Sequence, residues 1–173
     1  PGLGPDEGAS YGAAHLYDVS VSPPVEIATI MAPTEGREPW FGNCVALQGT
    51  MALISAPQRD NSLGRVYQFD LSGPEPVLIR TLLAADRSNE INLKPRFGSS
   101  VAIQGSLGII GAAADNQAAE DGGAIYVFDL ATGVQILKRV ARKPGPDYRM
   151  GTAIAANETT ILVGSPGNSR AGR

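Results

Sequence analysis

Phe97 to Leu130 reads FGSSVAIQGSLGIIGAAADNQAAEDGGAIYVFDL, and earlier and later stretches are copies of it or pieces of one. SSVAIQ alternates polar and apolar residues, LGIIGAA is a short apolar run, and GAIYVFDL is β-branched and aromatic, so each predicts a strand. Gly105-Ser106 supplies a tight turn between the first two, and after Gly133 the segment QILKRVA alternates again as a fourth strand. A meander of four antiparallel strands in about fifty residues has the size of one propeller blade.

The same order recurs from Phe41 as FGNCVALQ, a Gly49-Thr50 turn, MALISAP, GRVYQFDL and VLIRTLLAAD. It starts again at Met150 with MGTAIAAN and TILVGSP, and the other half of that copy stands at the beginning, where GAAHLYDV and VEIATIMA align with third and fourth strands. Two strands at the start, four and four in the middle and two at the end make twelve, with the repeat frame circularly offset from the chain ends. The expected fold is all-β, one propeller segment over 1–173. In it 1–40 and 150–173 are the second and first halves of a split blade, and 41–96 and 97–149 are whole blades.

Phe41-Gly42, Phe97-Gly98 and Met150-Gly151 open the units at spacings of 56 and 53 residues. Ser55-Ala56-Pro57, Gly111-Ala112-Ala113 and Gly164-Ser165-Pro166 stand in register with one another. These residues resemble the FG-GAP repeat, the blade unit of integrin α-subunit propellers and of many cell-surface proteins, which writes Gly-Ala-Pro at the second position. The resemblance covers nearly the whole chain and implies a binding or adhesion module, extracellular or at the cell surface.

Many blades of that family carry an Asp-rich calcium loop between their first and second strands. Here the corresponding turns are Gln48-Gly49-Thr50, Gln104-Gly105-Ser106 and Asn157-Glu158-Thr159. Calcium needs six to eight oxygen ligands, which turns this short cannot supply, so no metal is expected. No cofactor or catalytic set is expected either. His15 is the sole histidine, and no G-x-S-x-G elbow or phosphate-cradling glycine loop occurs. GAIYVFDLATGVQILKRV also looks like the strand pair of quinoprotein propellers, but Gln135-Ile136-Leu137 stand where those place a docking Trp. A propeller enzyme, a quinoprotein-like oxidoreductase or a hydrolase with a central site, is therefore the alternative to a non-catalytic module.

Candidate ligand contacts lie on the loops between second and third strands: Arg59, Asp60, Asn61, Asp115, Asn116, Glu120 and Asp121. The Asp60-Asn61 and Asp115-Asn116 pairs are read as turn caps, through side-chain to backbone hydrogen bonds, or as a weak cation or ligand site. Trp40, the only Trp, is either an apolar plug at a seam between blades or a platform for a sugar ring. Cys44, the only cysteine, excludes an internal disulfide and is read as a small buried filler, with an intermolecular disulfide as the sharper reading.

The links DRSNEINLKPR (86–96) and RKPGPDYR (142–149) alternate in charge, as solvated crossovers do. A net charge of −3 without a basic stripe gives no reason to expect nucleic acid as a partner. No apolar run approaches the roughly 20 residues that span a bilayer. The chain starts at Pro1 rather than Met, as a processed product or a portion of something longer does.

Three blades do not close a ring, because propellers have typically four to eight. The exposed edges and faces of an open arc need covering. Two partners fit: a second copy, giving a homo-oligomer with six blades, or further blades in a larger assembly. The ligand is expected to be a protein or a glycan.

Overall fold

The computed structural model describes residues 12–33, 40–87 and 94–167. The expected loops at both ends, and the middles of the links before Phe41 and Phe97, lie outside the described residues.

Twelve strands form four antiparallel sheets. The first sheet holds β1 (Ala13–Asp18) and β2 (Val25–Met31). The second holds β3 (Val45–Gln48), β4 (Met51–Ala56), β5 (Arg65–Asp70) and β6 (Val77–Leu82), in that order. The third holds β7 (Phe97–Gln104), β8 (Leu107–Ala112), β9 (Ala124–Asp129) and β10 (Val134–Val140). The fourth holds β11 (Ile154–Ala156) and β12 (Ile161–Val163). The expected strands are all present, those after Met150 shorter than the pattern predicts.

Local chemistry explains the recurrence. Asp18, Asp70 and Asp129 close the third strand of a unit and turn the chain, each accepting a hydrogen bond from the backbone N–H two residues on, at Ser20, Ser72 and Ala131. One strand later, Ile27, Ile79 and Ile136 each fall out of register as the extra residue of a bulge. A bulge increases twist and re-aims the side chains beyond it.

Consecutive sheets meet face to face through one repeated joint. The residue before each opening, Trp40, Arg96 or Arg149, has φ of 68°, 54° or 52°. The next residue then lies on a glycine of the preceding sheet. A Cβ on Gly12 would stand 1.8 Å from the Phe41 carbonyl oxygen, one on Gly64 2.0 Å from that of Phe97, and one on Gly123 2.3 Å from that of Met150. Only glycine permits so close an approach.

Phe97 is buried with its ring edge-on to Tyr126 at 5.3 Å and to Phe128 at 5.9 Å. It shares a core with Leu53, Val66 and Leu82 of the second sheet. Phe41 packs against Tyr67 at 5.5 Å, in a second core that takes Ile30 from the first sheet. Along the first strands, Gln48 and Gln104 each reach the next sheet's tight turn, donating to the Gly105 and Glu158 carbonyls. Among the described residues no helix is long and apolar enough to cross a membrane.

Candidate functional site

A cleft of about 230 Å³ opens between the second and third sheets. Leu63, Ala84, Pro95 and Ala114 give it apolar walls, and Asp86, Asp115, Tyr126 and Lys138 give it a polar floor. The floor follows from the bulge in β10. With Ile136 out of register, Lys138 falls directly opposite Tyr126 on β9, and its ammonium sits 4.9 Å from the ring centre.

That ammonium holds two carboxylates, Asp86 Oδ2 at 2.5 Å and Asp115 Oδ2 at 2.7 Å. The Tyr126 hydroxyl lies 2.8 Å from Asp115 Oδ2 and 3.1 Å from Asp86 Oδ1. Burial, followed by the two neighbouring carboxylates, pushes the Tyr126 hydroxyl well above the ordinary phenol range, so it keeps its proton. Asp115 is almost fully buried, and Asp86 keeps 39% of its side chain exposed at the mouth.

A second ion-pair group abuts the cleft. Arg59–Ser62 makes a single helical turn in which Asp60 and Asn61 have left-handed φ of 53° and 57°. Asp and Asn tolerate that conformation better than other residues with a Cβ. The Asp60 carboxylate meets Arg65 at 2.6 Å, Arg59 at 3.3 Å and Arg87, which lines the cleft and also donates to the Gly64 carbonyl. Burial works to raise the Asp60 carboxyl, but the hydrogen bonds and charges of Arg65 and Arg87 outweigh it and hold it below the usual range. The same pair raises Arg65.

The expected site residues therefore separate. Asp115 and Asn116 line the cleft, and Asp60, braced by Arg59, reaches it through Arg87. Asn61 is exposed on the turn. Glu120 and Asp121 face the next link instead: their carbonyls accept from Asp147 and Arg149, and Asp121 Oδ2 lies 4.0 Å from Arg149. Trp40 is 56% exposed at the first joint and lines no part of the cleft; the plug there is Phe41.

The two Asp-Asn pairs also differ. Asp115 accepts from the Gln117 N–H and Asn116 from the Asp121 N–H, as turn caps do. Asp60 binds arginines instead, because its left-handed backbone aims the carboxylate at them. Cys44 is half-buried against the shared core, its thiol donating to the Ser99 carbonyl and pushed up by burial. Among the described residues no group of His, Cys, Asp and Glu is placed to hold a metal ion.

Asp86, Arg87, Tyr126 and Lys138 are the contributors that the loop reading misses. The signal for Tyr126 was its place in the column of His15 and Tyr67.

Residues 81–128, from the end of β6 through most of β9, match the model of the FG-GAP repeat, so the chain carries such a repeat with Phe97-Gly98 inside it. No curated protein matches the chain.

Proposed function

We propose that this chain, as the carrier of an FG-GAP repeat, is a non-catalytic binding or scaffold module. Its sheets are segments of a β-propeller, about three blade-equivalents with the first and fourth sheets as halves of a split blade. It acts as part of a complete propeller, outside the cell or at its surface, and takes a protein or glycan ligand at the cleft beside Asp86 and Asp115.

The observation that carries this reading is the Lys138 group. One cation and one phenol, Tyr126, fix two carboxylates beside apolar walls. Small pockets with apolar walls and a few fixed polar groups orient a ligand by hydrogen bonding. Each carboxylate has about four acceptor sites, and those of Asp86 not taken up inside face outward to accept from hydroxyls or amides. Tyr126 directs a hydrogen bond and keeps its proton, whereas a general acid or base has to exchange one near the working pH.

The test is a glycan array and a panel of immobilised matrix proteins, with wild type compared to Asp86→Asn and Gln117→Ala at the rim. Binding that each variant weakens by about tenfold, 1.4 kcal/mol, supports the reading. Binding to nothing, affinity indifferent to both changes, or turnover of a ligand overturns it.

A further inference from the structure

Resting on the propeller reading above, we infer that the free edge of β12 pairs with the free edge of β1 in a second copy of this chain. The β11–β12 pair of one molecule and the β1–β2 pair of the other then make one four-stranded sheet.

The two complete sheets supply the template. In both, the second strand pairs antiparallel with the third: Ile54 opposite Tyr67 and Leu53 opposite Gln68, then Ile110 opposite Tyr126 and Ile109 opposite Val127. Among the described residues the fourth sheet has a first and a second strand, in the register of the complete ones, since Ile154 meets Val163 as Val45 meets Ile54. Among the same residues the first sheet has a third and a fourth. Among the described residues β12 pairs with β11 alone and β1 with β2 alone. Transferring the register sets Val163 opposite His15 and Leu162 opposite Leu16.

Equivalent side chains show what is uncovered. Leu53 and Val101 share the buried core between the second and third sheets, at 0% and 8% exposure. Leu162 is the counterpart of Leu53, and Val45 that of Val101, yet they are 73% and 60% exposed. Val45 sits with Leu47, Leu16 and Ala14 along an apolar groove of about 270 Å³ beside the open edge of β1. The β11–β12 pair has the register and the leucine to fill that groove.

Within residues 12–167 β1 and β12 lie in separate sheets. The second and third sheets stand between β1 and β12, and rings of blades start at four. A second copy brings the sheets to six, within the range that closes, and satisfies both pairs of edges at once. Exchange of identical elements between copies is a low-cost route to a dimer, and strand addition at an open edge supplies main-chain hydrogen bonds.

The 173-residue chain is used, with Cys44→Ser so that no other thiol reports. Light scattering should give twice the 18.0 kDa of one chain, and Leu162→Asp should return it to one chain with unchanged circular dichroism. Leu16→Cys is mixed with Leu162→Cys, and His15→Cys with Val163→Cys, under mild oxidation. Adjacent antiparallel pairs alternate in spacing, so one mixture should cross-link between chains and a slipped mixture, His15→Cys with Ile161→Cys, should not. A single-chain mass, a dimer indifferent to Leu162→Asp, or cross-linking in the slipped mixture alone overturns the pairing. The cleft lies at the other joint, so a monomer that binds ligand refutes the pairing alone, and a dimer that binds none refutes the binding reading alone.

Discussion

Replacing Gly64 by alanine strikes the joint between the two complete sheets. Gly64 has φ of +83°, and a Cβ there would lie 2.0 Å from the Phe97 carbonyl oxygen and 2.8 Å from the Phe97 nitrogen. The left-handed backbone alone costs an alanine about 1–2 kcal/mol. The clash is with backbone, so relief means parting 62–64 from 96–97, where Arg96 N donates to Ser62 O at 2.9 Å and Phe97 N to Leu63 O at 3.3 Å. Losing both hydrogen bonds costs about 1 kcal/mol each, and displacing the buried Phe97 ring adds roughly 1–3 kcal/mol. The expected loss is thus about 4–7 kcal/mol, a large share of the 5–15 kcal/mol that typically holds a domain.

Gly105→Ala is the control. Gly105 also has positive φ, +58°, but nothing stands within 4 Å of its added Cβ. Only the conformational cost of about 1–2 kcal/mol remains. At roughly 2–4 °C per kcal/mol for a chain of this size, Gly64→Ala lowers Tm by about 10–25 °C and Gly105→Ala by about 2–8 °C. Urea and thermal melts followed by far-UV circular dichroism read both. Equal losses for the two variants would refute the close-approach argument, leaving glycine there for its backbone freedom alone.

Lys138→Met strands the buried Asp115 carboxylate and should cost about 3–5 kcal/mol. Adding Asp115→Asn should recover part of that, so a double-mutant cycle by urea melts should be non-additive, and additivity would show that the pair is uncoupled. The folded-state pKa of Asp60 is depressed, so its contribution is full above the unfolded value near 4 and fades as pH falls through the lower folded value. Asp60→Asn should therefore be less stable than wild type at pH 6, and the gap between their urea midpoints should close towards pH 2; a constant gap would count against it.

The repeat made the strand count and order readable. Phe-Gly openings, glycine turns and the closing Asp of each third strand are local signals, and each does local work in the structure. The lower reach of the sequence shows at the cleft. Lys138 meets Asp86, 52 positions away, only because a bulge at Ile136 turns it, and nothing in the alternation of QILKRV announces which residue leaves the register. The same limit explains the two Asp-Asn pairs: alike in sequence, they part company because three arginines, one from a link between units, converge on Asp60 and none on Asp115.

The joint between sheets recurs with one substitution, the half-buried Met150 in the place of Phe41 and Phe97. Among the described residues such a joint links each sheet to the next in chain order, so cohesion passes along the chain link by link, as in a row of coupled elements rather than one indivisible mass. Loosening is accordingly expected to begin at the Met150 joint, where methionine replaces an aromatic ring.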